Sequence, residues 1–198
     1  MPATRRQDSA AQTRTVILDA ALELFSAQGY GPTTVNQIAE GAGVAAATVY
    51  TSVGNKPTVL RALVERSASA VEFERNVADV AASTDPRAVI DLIAAGTRAG
   101  FEAHDRVIAL MVETATTIPE VAADMERSVT TYRANLRAAS VRLNELAALR
   151  HGVSVDQGTD TLWFFFGLYS YPTLVRDNRW SYDEAQAWLA DRAAEALL

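Results

Sequence analysis

The stretch Thr33–Lys56, TTVNQIAEGAGVAAATVYTSVGNK, decides the fold. Val35, Ile38 and Ala39 fall on one face of a short helix, and Gly41 and Gly43 interrupt it. A second short helix is predicted from about Ala45 to Ser52, so the pair reads as a helix-turn-helix. Thr34 with Gln37 three residues on has the pattern of a capping box, in which the hydroxyl accepts a backbone N–H and the amide side chain answers it.

Upstream, Val16, Ile17, Ala20, Ala21, Leu24 and Phe25 keep helical spacing over residues 13–28, and Gly29 predicts a left-handed end to that helix. Met1–Gln12 is polar, carries Arg5 and Arg6, and is expected to be a flexible arm. Downstream, Asn55 is the expected N-cap of a helix running to about Val80, with Pro57 tolerated in its first turn. Val59, Leu60 and Leu63 would face the core of the small domain.

In this register Ile17, Leu18, Ala20, Ala21, Leu24, Phe25, Gly29, Tyr30, Thr33, Thr34, Val35, Ile38, Ala39, Ala42, Gly43, Val44, Thr48, Tyr50, Lys56 and Leu60 resemble the tetracycline-repressor-like (TetR) family of transcriptional regulators. The likeness is close from about Val16 to Leu63. It implies an arm over 1–12, a helix-turn-helix DNA-binding domain over 13–62, and a ligand-binding and dimerisation domain over 63–198. It also implies a DNA-contacting set of Thr34, Asn36, Ala45, Ala46, Ala47, Thr48, Tyr50, Thr51 and Lys56. In that set Ala45–Thr48 would enter the major groove, Tyr50 would reach a phosphate, and Lys56, the chain's one lysine, would meet a phosphate beside a helix N-terminus.

The chain departs from the family pattern at several of these positions. Ala45, Ala46 and Ala47 stand where relatives show a serine and a glycine, Thr51 and Val53 where aromatics are frequent, and Pro57 where an acid is common. Alanines supply no side-chain hydrogen bond, so base readout would rest on Thr48, thymine-methyl contacts and DNA shape.

Composition sets the remaining bounds. A chain of 198 residues with 49% hydrophobic residues can bury a sizeable core, as one large domain or a small one joined to a medium one. Zero cysteines exclude a disulfide framework, a thiol nucleophile and cysteine metal sites, and the lack of a signal-peptide pattern leads to an expected cytoplasmic location. The longest apolar run, Leu162–Leu168, is too short for a bilayer, so no membrane partner is expected. A net charge of −6 argues against a polyanionic partner until its distribution is considered. Residues 1–62 hold five basic against four acidic side chains, and the acidic excess lies beyond them.

The rest of the chain predicts an all-α fold of about nine helices, a three-helix domain followed by a helical bundle. Asp85-Pro86 opens a helix to about Ala103, another runs from Asp105 to Thr116, and Pro119 begins a long one. Along the last, Val121, Met125, Val129, Tyr132, Leu136, Ala139, Leu143 and Leu146 recur at steps of three and four. Ser154 with Gln157, and Ser181 with Glu184, are two further capping boxes. Between them LWFFFGLYSYPTLV is apolar on nearly every side, with Pro172 expected to bend it. Its rings could form core, a cavity wall or a dimer face.

By the family resemblance, Phe101, Met111, Met125, Tyr132, Phe165 and Tyr169 would line a pocket for a small apolar or aromatic effector. Trp163, Phe166, Trp188 and Leu197 would lie in a homodimer interface. His104 and His151, near predicted helix ends and far apart, read as surface caps rather than metal or catalytic groups. No nucleophile with a base and no phosphate-cradling loop appears, so no enzyme activity and no cofactor are expected. The expected function is a ligand-responsive, dimeric DNA-binding regulator, most simply a repressor of a palindromic operator. The competing reading is a helical small-molecule-binding protein or enzyme that keeps the helix-turn-helix as scaffold.

Overall fold

The computed structural model describes residues 5–67 and 70–198, the side chains at 5–8, 67 and 70–74 excepted. All regular structure among these residues is helical, as expected. The elements are α1 (Arg5–Gln28), α2 (Val35–Gly41), α3 (Ala46–Ser52), α4 (Lys56–Ser67), α5 (Ala70–Ala82), α6 (Pro86–Ala115), α7 (Pro119–Glu145), α8 (Val155–Phe166), a π-helical segment (Pro172–Asp177) and α9 (Tyr182–Leu197). Helix α1 begins at Arg5 rather than near Thr13, so most of the expected arm is helical; residues 1–4 and the Arg5 and Arg6 side chains lie outside the described residues. The one helix expected from Asn55 to Val80 is described as α4 and α5, on either side of undescribed residues 68–69.

Instead of one boundary near residue 62, two compact units interleave along the chain. The first comprises Met1–Ala68 and Arg106–Glu126, the second Ser69–Asp105 and Arg127–Leu198. The reason lies in the core of the first unit. Val107, Leu110 and Val121 are buried in one cluster with Ile17, Phe25, Ile38, Val49, Leu60 and Leu63, so the end of α6 and the start of α7 complete the apolar interior that α1–α4 begin. The two helices expected on either side of residues 103–105 are both present and meet within α6 at a kink, where His104 leaves helical geometry (φ −136°, ψ 17°). His104 therefore stands at the kink between two helical stretches, and His151 lies in the turn before α8.

The second unit is closed by contacts that depend on small residues. Asn76 donates to the Leu92 carbonyl at 2.9 Å, and Gly96 leaves room for it, since a Cβ there would meet Asn76 Nδ2 at 2.8 Å. Leu136, Ala139 and Leu143 of α7, Leu162 and Phe166 of α8, and Ala185, Leu189 and Ala193 of α9 are buried. Ser154 and Ser181 form the two expected capping boxes. Helix α8 stops before Pro172: Gly167 is extended (ψ −168°), and the π-helical segment starts at the proline. The carbonyl of Phe166 that the break leaves free accepts the Tyr132 hydroxyl at 3.0 Å.

Candidate nucleic-acid interface

In the first unit the backbone is set by three short-range devices. Gly29 (φ +85°) ends α1 with its N–H on the Phe25 carbonyl, a conformation favourable for glycine. Thr34 caps α2, its Oγ1 accepting from Gln37 N at 3.3 Å while the Gln37 amide oxygen accepts from Thr34 N at 2.9 Å. Gly43 (φ +66°) turns the chain between α2 and α3. Ala45 is extended at the N-cap of α3 and, lacking a side-chain acceptor, leaves the first-turn N–H groups without a side-chain cap.

Val49 anchors α3 in the core with no exposed surface, which turns the opposite face outward. Thr34, Asn36, Ala45, Ala47, Tyr50 and Thr51 are exposed, and Thr48 is half-buried. Ala46 packs against the core, so it belongs to the support of α3 rather than to its outward face. The Thr51 hydroxyl is within donor range of the Ala47 and Thr48 carbonyls, at 3.0 and 3.2 Å, which directs it back along the helix. Arg14 of α1 donates to the Ser52 carbonyl at 3.1 Å, holding the C-terminal end of α3. Residues 33–55 contain one charged side chain, Glu40, so the outward face of α2 and α3 is nearly neutral.

Lys56 departs from its expected role. Its ammonium donates to the carbonyls of Tyr30, Gly31 and Thr33 at 2.8, 3.0 and 2.9 Å, and sits 4.3 Å from the centroid of the Tyr30 ring. A lysine has three N–H donors, and all three are engaged inside the protein. A phosphate could gain one only by breaking this clamp. Burial pulls the Lys56 pKa down, and burial together with the nearby Glu120 carboxylate pushes the Tyr30 phenol up. Sequence reasoning missed the clamp because its carbonyls lie 23 to 26 positions from the lysine. Asn55 Oδ1 accepts from Thr58 N at 3.1 Å, so the α4 cap stands where the sequence predicts it.

The six expected pocket residues do not gather in one unit. Met111 and Met125 belong to the first, and Phe101, Tyr132, Phe165 and Tyr169 to the second. Phe101 is buried and stacks on Tyr171 at 5.3 Å, and Tyr132 is engaged with Thr97 and Phe166, so both serve as core. Tyr169 is 66% exposed and faces no interior. Of the expected interface residues, Phe166 (0% exposed) and Leu197 (1%) are buried in their own chain and present no surface. Trp163 is half-buried between Tyr132 and the Arg133 guanidinium. Trp188 is exposed, as is Phe164, which the sequence did not single out.

A short capped helix, a glycine turn and a second helix anchored by one buried valine, all buttressed by α1 and α4, define a three-helix DNA-binding domain of the helix-turn-helix class. Residues 17–63 match the family model for bacterial regulatory proteins, tetR family. The likeness to that family is carried by this N-terminal segment, and the chain spans less than half the length of the curated relatives it matches. Over 65 residues it is 42% identical to the HTH-type transcriptional regulator SrpR of Pseudomonas putida, a match spanning 33% of this chain and 30% of that relative. The likeness in fold extends further. NalD, described as the secondary repressor of the MexAB-OprM multidrug efflux pump in Pseudomonas aeruginosa, is similar with a TM-score of 0.77 at 23% identity, covering 96% of this chain and 98% of NalD. FadR from Bacillus subtilis, solved in complex with stearoyl-CoA, is similar with a TM-score of 0.74 at 17% identity, covering 93% and 99%. No helix among the described residues is long and apolar enough to cross a membrane.

Proposed function

We propose that the protein is a cytoplasmic transcriptional repressor that binds a palindromic operator as a homodimer and is released by a small-molecule effector. One observation carries the proposal: the outward face of α3 stands free on a buried anchor within the segment that matches the family. Thr34, Asn36, Ala45, Ala47, Thr48, Tyr50 and Thr51 form the DNA surface, with Ala46 and Lys56 holding it in place. In a two-fold dimer the two α3 helices enter successive major grooves about 34 to 36 Å apart.

The exposed rings of Phe164 on α8 and Trp188 on α9 support pairing through these helices, because large apolar groups left in water favour a partner. That NalD is described as a repressor and FadR was solved with stearoyl-CoA supports a repressor with an apolar effector. A ligand that prefers the conformation with mismatched α3 spacing would weaken operator binding, with couplings of this kind typically about 1 to 3 kcal/mol.

The test is an electrophoretic mobility titration on the DNA immediately upstream of the protein's own gene, with added salt and random competitor. Retention of two chains, or a multiple of two, that survives competitor is the expected result. Complexes removed entirely by competitor, there and at further promoters, would leave the helix-turn-helix as scaffold.

A further inference from the structure

The buried side chain of Val49 fixes which residues of α3 face away from the protein. At about 3.6 residues per turn, Ala47 and Thr51 each stand about 160° around the helix from Val49, while Thr48 and Tyr50 stand about 100° from it. Ala46 is about 60° away and packs on the core, as that geometry requires. Ala47 and Thr51, four residues apart and both exposed, therefore form the outermost line of the helix.

That line offers a base edge no hydrogen-bond donor. Ala47 ends in a methyl group. The Thr51 hydroxyl gives its hydrogen to the Ala47 and Thr48 carbonyls, at 3.0 and 3.2 Å, and what the side chain keeps to present is its own methyl. Beside it, at the cap of α2, the Thr34 hydroxyl is likewise engaged with Gln37. Charge does not make up the difference, since Glu40 is the one charged residue over 33–55 and the Lys56 ammonium is held by three carbonyls. In the major groove the apolar group that such a surface can meet is the C5 methyl of thymine, because the other bases show polar edges there.

We propose that α3 reads its half-site through thymine methyl groups, one met by the Ala47 methyl and one by the Thr51 methyl. This rests on the operator binding proposed above and names the chemistry of the DNA it takes, a half-site with thymines under the middle of α3. Such contacts remove apolar surface from water and involve no charge. Thr48, on the flank of the helix, is left to hydrogen-bond a neighbouring base edge.

The test uses the full chain and a site selected from a randomised duplex library. Each thymine of the selected half-site is replaced in turn by uracil, which pairs with adenine in the same way and lacks the C5 methyl. Fluorescence anisotropy then compares thymine and uracil duplexes on the wild type, Ala47→Gly and Thr51→Ser. The expected result on the wild type is a loss of about threefold or more at two thymines of each half-site, the effect of one buried methyl group. That ratio should fall to about one at the first of them in Ala47→Gly and at the second in Thr51→Ser. Because each ratio compares two duplexes on the same protein, any stability that a variant loses cancels from it. Failure to select any site would overturn the operator reading and this proposal together. A selected site that binds equally well with uracil, or a ratio that survives its substitution, would overturn the methyl readout and leave the operator reading standing.

Discussion

The ammonium of Lys56 stands 4.3 Å from the centroid of the Tyr30 ring while donating at 2.8 Å to the carbonyl of the same residue. The first residue of α4 is thereby tied to the turn between α1 and α2. With Gly31 and Thr33 also held, the residue before the α2 cap has its carbonyl fixed. Lys56→Ala is expected to lower stability by about 1 to 3 kcal/mol, through carbonyls that lose a charged donor. Operator affinity should fall with it, but the slope of log affinity against log salt should stay that of the wild type. A slope smaller by about one would return Lys56 to the phosphate.

Thr48 tests the opposite kind of role. It is the only residue of the Ala45–Thr48 quartet with a polar side chain, so it is the one that can read a base edge by a side-chain hydrogen bond. In Thr48→Ala, discrimination at one base pair of each half-site should drop by about 1 to 3 kcal/mol, with nonspecific affinity unchanged. An unaltered preference profile in a randomised-operator selection would assign readout to the alanine methyls and DNA shape.

Two glycines separate conformational strain from collision. Gly43 has φ +66° with open space around the missing Cβ, so Gly43→Ala should cost only the left-handed penalty, about 1 to 2 kcal/mol. At Gly167 a Cβ would fall on the carbonyl oxygen of Trp163, well inside van der Waals contact, and backbone cannot swing away as a side chain can. Gly167→Ala should therefore cost more than Gly43→Ala in chemical denaturation. Equal losses would mean that α8 relaxes at its end.

What was legible in the sequence follows from the range of the forces involved. The capping boxes at Thr34, Ser154 and Ser181 join residues three apart, so composition and spacing suffice to place them. The Lys56 clamp closes only once α1 and α4 have packed, and before that a lone lysine at a helix start looks like a phosphate ligand. Pro172 drew the expected bend because proline lacks an N–H, whereas the break at Gly167 depends on its neighbour Trp163. Phe164 and Phe166 could not be told apart as surface and core, since a segment apolar on every side has no period to choose between them.

Tyr132 joins three elements through one hydroxyl, 2.6 Å from Thr97 Oγ1 and donating at 3.0 Å to the Phe166 carbonyl. Burial pushes its pKa up to about 12, with the Thr97 hydrogen bond pulling the other way, so the phenol stays protonated near neutral pH. Tyr132→Phe should destabilise by about 1 to 3 kcal/mol, because the carbonyl at the end of α8 loses its donor. Combined with Thr97→Val the losses should fall short of their sum by about 0.5 kcal/mol or more. Additive losses in urea denaturation would show that the two hydroxyls act separately.

Phe164 is 75% exposed, although it lies two residues from buried Leu162 and from buried Phe166, and Trp188 on α9 is 42% exposed. A two-fold interface built on these rings meets every substitution twice, so a single carboxylate there is desolvated and repelled in both copies. Phe164→Asp should yield a folded monomer by sedimentation velocity, because its ring lies mostly in water and its one ring contact among the described residues is with the adjacent Phe165. Phe166→Ala should do the reverse, costing about 3 to 5 kcal/mol of stability while the surviving native fraction remains dimeric. If Phe164→Asp sediments as a dimer, the chains pair elsewhere, and the spacing of the two α3 helices would have to be set by another face.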